Sequence, residues 1–187
     1  NTDFTNASLQ SIYLLEADLR GADFNQTSFE NVIYDARTQL PEGFSPPESG
    51  MYLLAAYSSA VGIRGYKLDL AGQDLTGLDI SDSEIGADFS RATLDKAIFE
   101  NGNFFGSVFL ETSLINSRFC NARLRGTDLT RANLQGADLR GTDLRRAGIE
   151  DANFQNAIYN ADTRFPEGFD PVAAGAILFN ESCVSEE

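Results

Sequence analysis

The 187-residue chain contains no histidine and no tryptophan, and it has only two cysteines and one methionine. Without histidine it lacks the commonest general base, proton carrier and metal ligand of proteins. Two cysteines, Cys120 and Cys183, are too few to form a disulfide framework. A catalytic cysteine is not expected without a histidine to activate it. We therefore predict that the protein is not an enzyme and binds no metal or other cofactor.

Basic residues are also scarce, since 14 lysines and arginines face 28 aspartates and glutamates, and the formal net charge is −14. A general binder of nucleic acids or anionic membranes needs a basic surface, so we expect no direct nucleic acid binding. No apolar run approaches the roughly 20 residues that span a bilayer, and we expect no membrane insertion.

A large apolar residue recurs every five positions, and the residue two places before it is usually Ala, Ser or Thr. A period of five fits neither an α-helix nor a flat strand. It predicts a coil that turns one large side chain inward per five residues. These inward residues number seven from Phe4 to Tyr34, four from Leu70 to Ile85 and fifteen from Phe89 to Tyr159, which gives 26 repeats. The spacing shortens by one residue between Ile85 and Phe89, which indicates a local bulge.

The repeats resemble the pentapeptide-repeat family, whose consensus is A-(D/N)-L-x-x, in segments such as Ala87-Asp88-Phe89, Ala132-Asn133-Leu134 and Ala137-Asp138-Leu139. The resemblance covers nearly all of the chain except about 35–64 and 161–187. It implies an all-β solenoid, a right-handed quadrilateral β-helix in which each inward residue stacks on the one 20 positions away. Members of the family are especially abundant in cyanobacteria, and most have no known biochemical role.

Two segments interrupt or end the repeats, and they are similar to each other. Residues 33–44 match residues 158–169 at an offset of 125, and each copy ends in a Pro-Glu-Gly-Phe sequence. Solenoid ends need to be covered, so we predict that each copy leads into a short capping α-helix. Ser45-Pro46-Pro47-Glu48 is typical of a helix start and predicts a helix over about 46–60. Asp170-Pro171 predicts a second helix to about Asn180.

These features predict four segments along the chain. Residues 1–34 form a first repeat segment, 35–64 a capping loop and helix insertion, 65–160 a second repeat segment, and 161–187 a C-terminal cap helix and tail. Whether the two repeat segments form one continuous rod is left open by the sequence.

Five apolar residues occupy positions that the repeat turns toward water, and we take them as one candidate interaction patch: Ile98, Phe105, Val108, Leu110 and Ile115. Large exposed apolar patches usually mark contacts. The predicted mid-chain helix, the C-terminal tail, a second copy of the chain or a foreign protein could each cover this patch. A disulfide between Cys120 and Cys183 would hold the tail against it, whereas free thiols are the default in a reducing compartment.

Charged residues also follow the repeat. Arg91, Glu111, Arg131 and Asp151 are spaced by 20 and predict a ladder of alternating charge, and Arg118–Asp138 and Arg123–Asp143 predict further pairs. Aspartates directly before the inward residues are expected to bind turn backbone groups and not a substrate or metal. Residues 118–146 carry seven arginines and three aspartates. Arg125 and Arg145 are expected to stack as like charges, which would favour an anionic partner.

The sequence thus predicts a non-enzymatic structural or protein-interaction scaffold with an unknown protein partner, and a homodimer is one form of that contact. The alternative rests on the resemblance, because some family members bind DNA gyrase by mimicking duplex DNA, and the acidic charge agrees with that role. The chain begins with Asn1 and not with methionine, as in a processed or trimmed product. We expect a cytoplasmic location, with the periplasm or thylakoid lumen as alternatives after processing.

Overall fold

In the computed structural model, which describes residues 2–47 and 50–183, the chain divides into two compact units, residues 1–55 and 56–187. Each unit is a β-solenoid of short parallel strands and bridges, as the five-residue period predicts, and this agrees with the right-handed β-helix that the resemblance implies. No helix occurs among the described residues. It follows that none of them belongs to a helix able to cross a membrane.

The first unit contains four short strands that pair in parallel. Strand β1 (Ser8–Gln10) pairs with β2 (Ser28–Glu30), and β3 (Val32–Asp35) pairs with β4 (Met51–Leu54). Its core is built around four buried residues: Leu9, Phe24, Val32 and Met51. The inward residues Phe4, Leu14 and Phe29 pack against this core but stay partly exposed.

The second unit contains the remaining strands and most of the bridges. Strand β5 (Arg64–Asp69) pairs with β6 (Glu84–Asp88), and β7 (Ile158–Tyr159) pairs with β8 (Ile177–Leu178). Between them, isolated parallel bridges join residues 20 positions apart, such as Val108 and Asp128. The residue two places after an inward position usually has a positive φ, as at Asn116 (56°) and Gly126 (69°), and this turns the chain at the corner. Ala87, two places after Ile85, is an exception.

Most inward side chains of the second unit are fully buried and stack on one another. The rings of Phe89 and Phe109 stack with centroids 4.9 Å apart, and those of Phe99 and Phe119 with centroids 4.4 Å apart. At most centres of the second unit the residue two places earlier is small and buried as well, and its hydroxyl, where present, is hydrogen-bonded. Thr112 Oγ1, for example, donates to the carbonyl oxygen of Phe89 at 2.7 Å. The predicted stacking of residues 20 apart is therefore confirmed.

The shortened spacing between Ile85 and Phe89 does correspond to a bulge. Tyr66 and Leu68 of β5 face the consecutive residues Gly86 and Ala87 of β6, so Lys67 has no partner in β6. Lys67 has a φ of 60°, as at the other corners, and the irregular strand is β6, which is one residue shorter between Ile85 and Phe89. In the coil after the bulge, bridged residues are 19 positions apart, as at Asp79 and Ile98. From Asp88 and Val108 onward they are 20 positions apart.

Both predicted capping helices are wrong. Residues 51–54, within the segment expected to be helical, form strand β4, while Glu48 lies outside the described residues. In the C-terminal segment, residues 171–175 form turns and β8 follows. The prolines begin loops and not helices, and each loop returns the chain to pair with the strand that opened the copy.

Candidate interaction surfaces

Outward side chains of the second unit lie in four columns, one for each face of the coil. The bridged residues that define them are Asp88–Val108–Asp128–Gly148, Thr93–Ser113–Asn133–Asn153, Ile98–Arg118–Asp138–Ile158 and Asn103–Arg123–Asp143–Arg164. Strands in such ladders are about 4.8 Å apart, so residues 20 positions apart are direct neighbours across adjacent coils. Every outward residue can be placed on a face from this register.

The five residues of the predicted apolar patch do not share a face. Ile98 lies in the column of Arg118, Val108 and Leu110 lie on the face of Asp128, and Ile115 follows Ser113 on a third face. Phe105 follows Asn103 on the fourth. Four of the five are half-buried between neighbouring side chains, and only Phe105 is strongly exposed, at 65%. The single patch is thus a wrong prediction, and Phe105 is the member that stands out.

Phe105 begins a column that continues with Arg125 and Arg145. The register Asn103–Arg123–Asp143 places these three residues on adjacent coils. The ring of Phe105 leans toward Gly126, where a Cβ would lie 3.8 Å from its Cε2. The predicted stacking of Arg125 on Arg145 is present, and an exposed aromatic ring adjoins it.

Around this column lies a group that we call the arginine face: Arg123, Arg125, Arg145, Arg146 and Arg164. All five side chains belong to exposed residues. Arg145 alone is paired, through two hydrogen bonds to Asp143 of 2.8 and 2.6 Å. These bonds raise the pKa of Arg145 and lower that of Asp143. The other four guanidinium groups form no ion pair within residues 2–47 and 50–183.

The regularly spaced aspartates serve the backbone, as predicted. Asp74, Asp88 and Asp128 each accept a hydrogen bond from the backbone N–H two residues further on. Asp18 does the same for Arg20 and also holds its guanidinium, and the side-chain bond from Arg20 lowers the pKa of Asp18 to about 2. These aspartates are therefore explained by the turns of the coil, whose backbone N–H groups donate hydrogen bonds to them.

The predicted charge ladder is present only in part. Arg91 and Arg131 both bind Glu111, at 2.9 and 2.6 Å. Arg118 and Asp138 are neighbours in register, but Arg118 pairs with Glu100 and Asp138 with Arg140. Asp143 likewise pairs with Arg145 and not with Arg123. An aspartate pairs with the arginine two residues after it and not with the arginine 20 residues before it, because the Asx turn already points the carboxylate toward the former.

The C-terminal tail returns to the face of Arg118 and Asp138 and is bonded there. Cys120 and Cys183 form a disulfide with a Cα–Cα distance of 5.8 Å. Arg140 lies beneath the tail, with its Nη1 donating to the carbonyl oxygen of Ser182 at 3.1 Å and its guanidinium carbon 5.4 Å from the centre of the Phe179 ring. The tail therefore lies over Arg140 and Cys120 and not over Phe105.

One group of side chains has the composition of a metal site. The sulfurs of Cys120 and Cys183 and a carboxylate oxygen of Asp138 lie within 4.8 Å of one another. The two sulfurs are bonded to each other, and Asp138 is held by Arg140 at 2.6 Å. These atoms are thus already engaged in other bonds.

The repeats and the fold together define the class of protein. The family model for pentapeptide repeats matches in eight copies, over residues 1–33, 85–109, 109–146 and 122–158, which is more than half of the chain. The chain belongs to the pentapeptide repeat family. No curated protein matches it.

Solved structures similar to this chain include cyanobacterial proteins. A pentapeptide repeat protein from Nostoc PCC 7120 is 27% identical, with 65% of this chain and 84% of that one covered and a TM-score of 0.43. HetL, involved in heterocyst differentiation regulation in Nostoc sp. strain PCC 7120, is 20% identical, with 84% and 89% covered and a TM-score of 0.40. Full-length QnrB1, a plasmid-mediated fluoroquinolone resistance protein, is 16% identical, with 93% and 94% covered and a TM-score of 0.40.

Proposed function

We propose that this chain is a non-enzymatic scaffold that binds a partner protein through one face of its second unit. The observation that supports this is the column Phe105–Arg125–Arg145, where a 65% exposed aromatic ring adjoins two exposed arginines. Arg125 forms no ion pair among the described residues, and Arg145 pairs only with Asp143 of its own coil there. Aromatic residues and arginine are enriched in protein interfaces and dominate their binding energy.

The solenoid also suits this role energetically. The backbone around each outward residue is bonded to the coils on both sides. The N–H of Val108 donates to the carbonyl oxygen of Ala87 in the preceding coil, and the N–H of Phe109 donates to that of Asp128 in the following coil. Side chains held in this way lose little freedom on binding, which lowers the entropic cost of association.

The alternative is a DNA mimic that binds DNA gyrase. The net charge of −14 favours it, because an acidic surface is needed to compete with duplex DNA. The arginine face argues against it, since five guanidinium groups interrupt the acidic surface of the second unit.

A homodimer is a further form of the contact. Strand β8 pairs with β7 on one side, and its residues Ile177 and Leu178 are 49% and 53% exposed. An apolar edge strand of this kind favours pairing with another copy. Light scattering over a range of protein concentrations would separate a dimer from a monomer.

Affinity capture tests the scaffold function. The chain would be immobilised and exposed to an extract of its source organism, and bound proteins would be identified by mass spectrometry. Because Phe105 and Ile115 lie on different faces, Phe105→Asp and Ile115→Asp serve as separate baits. A protein lost only with Phe105→Asp supports the proposal. Gyrase subunits retained by both variants would instead favour the DNA mimic, and a bait that enriches nothing would contradict the scaffold function.

A further inference from the structure

The arginine face and Phe105 form a mixed apolar and basic surface on an acidic protein. Arg123 and Arg164 belong to the bridged column that contains Asp143, and Arg125 and Arg145 lie two residues along in each coil. Phe105 begins the second of these columns. Nothing in the packing of the unit requires this composition, because all of these side chains point away from the core.

Two shallow recesses flank the column and are lined by these side chains. One has a volume of 290 Å³ and is lined by Arg123, Arg164, Asp143, Asp162 and their neighbours. The other has a volume of 370 Å³ and is lined by Arg125, Arg145, Arg146, Phe165 and Glu167. Each recess therefore presents at least two guanidinium groups, and the second adds the ring of Phe165.

The charge balance of this surface is locally positive. The five arginines of the face lie among three carboxylates, Asp143, Asp162 and Glu167, and Asp143 is neutralised by Arg145. At physiological salt, charges further away than about 8 Å are largely screened. A ligand on this face therefore experiences the arginines more strongly than the net charge of the chain.

We propose that the arginine face with Phe105 is a docking surface for a short acidic segment of a partner protein, one that carries an apolar residue beside its carboxylates. This rests on the proposed scaffold function and names the partner's chemistry. Guanidinium groups bind carboxylates in a two-point geometry, and the exposed ring supplies the apolar contact. A nucleic acid fits less well, because a long polyanion would extend past this surface onto the acidic remainder of the unit.

Fluorescence anisotropy with defined probes tests the surface. The main probe is a labelled peptide of glutamates around a central phenylalanine, and the comparison probes are the same peptide without phenylalanine and a single-stranded oligothymidine. The surface variants are Arg125→Gln/Arg146→Gln and Phe105→Ser. The matched control is Arg20→Gln/Arg91→Gln, which changes the net charge by the same amount at arginines paired elsewhere.

We expect the double surface variant to weaken binding of the phenylalanine peptide by about tenfold, as for two lost ion pairs, and the control to leave it unchanged. Phe105→Ser should weaken only the peptide that contains phenylalanine. Equal losses in the surface and control variants would overturn the proposal, because bulk charge would then explain binding. Absence of peptide binding, or tighter binding of oligothymidine, would overturn it as well.

Capture from an extract with the double surface variant distinguishes the proposed docking surface from the proposed scaffold function. A partner that is captured by the wild type and lost with Arg125→Gln/Arg146→Gln supports the docking surface. A partner captured equally by both leaves the scaffold function standing and contradicts the surface. Failure of the wild type to capture any protein counts against the scaffold function itself.

Discussion

Asp35 and Asn160 occupy the same structural position in the two units, 125 residues apart, and make the same hydrogen bonds. Oδ1 of Asp35 accepts from the backbone N–H of Glu16 at 2.9 Å, and Oδ1 of Asn160 accepts from that of Gly141 at the same distance. Each residue also contacts a threonine three positions on, Thr38 or Thr163, whose hydroxyl donates to a carbonyl oxygen of the preceding coil. The internal repeat thus preserves a hydrogen-bond network and not only a loop sequence.

We expect Asp35→Ala to destabilise the first unit by roughly 2–4 kcal/mol, because it leaves the N–H of Glu16 and the guanidinium of Arg37 without their buried acceptor. Asp35→Asn should cost less than half as much, since asparagine already fills this position in the second unit. Urea unfolding of both variants measures the difference. Equal losses for alanine and asparagine would show that the oxygen acceptor is not what matters.

Asp35 also predicts a pH dependence. Burial raises the pKa of Asp35, but hydrogen bonds from Glu16, Arg37 and Thr38 outweigh burial and hold the pKa below its ordinary value of 3.8. The charged carboxylate therefore stabilises the fold at neutral pH, and this contribution is lost as the pH falls through and below 3.8. Thermal unfolding between neutral and acidic pH should show a shallower loss of stability for Asp35→Asn than for the wild type. Parallel pH profiles would contradict the assignment.

Gly102 stands where the repeat has alanine, and we expect Gly102→Ala to destabilise the protein although it restores the consensus. A Cβ at this position would lie 2.4 Å from Cε2 of Phe104. Such overpacking costs about 1–3 kcal/mol. Adding Phe104→Leu makes room, so the double variant should be more stable than Gly102→Ala alone. Additive losses in chemical unfolding would rule out the steric coupling.

Arg131→Glu should lower stability by about 1 kcal/mol, because it replaces an ion pair with Glu111 by a like-charge contact. Arg125→Glu is the matched control, since it makes the same charge change at an arginine without an ion pair among the described residues and next to Arg145. Differential scanning calorimetry should show a lower Tm for Arg131→Glu only. A Tm unchanged by both substitutions would count against the ladder.

Reduction of the Cys120–Cys183 disulfide should release the tail and destabilise the second unit by roughly 2–4 kcal/mol, as expected for a bond that closes a separation of 63 residues. Cys183→Ser should match the reduced wild type and be insensitive to reductant. Hydrogen exchange would locate the change in residues 179–183. The bond persists only in an oxidising compartment, so counting free thiols in protein isolated from its source tests the expected cytoplasmic location too.

The period of five was sufficient to predict the coil, the inward stacks and the bulge, because each depends on the spacing of large residues alone. It failed over residues 56–69. This segment coils like the rest of the unit, but large and small side chains have exchanged positions in it. Ala60 and Gly65 pair with Ile80 and Ile85 at inward positions, while Ile63 and Leu68 fill the space from the position usually taken by a small residue. A pattern search for large residues cannot find a coil built in this way.

The face on which each surface residue lies could be predicted from the spacing, but the five apolar residues were wrongly taken as one patch. Residues in one column are separated by about 20 positions and a face holds two columns two residues apart, so Ile98, Phe105 and Ile115 lie on three different faces. The same arithmetic places Phe105 beside Arg125 and Arg145. The pairing of Asp143 with Arg145 could not be obtained from spacing across coils, because it depends on the direction in which an Asx turn points a carboxylate.

The residue missing from β6 between Ile85 and Phe89 shows how such a protein can change length during evolution. Inserting or deleting a single residue would rotate every later side chain by one position, exchanging core and surface, unless a bulge absorbs the change locally, as it does where β5 pairs with β6. Removal or duplication of a whole 20-residue coil leaves all remaining side chains in place. Gene length in such a lineage should therefore vary in steps of 60 nucleotides, with single-codon changes confined to bulges and loops.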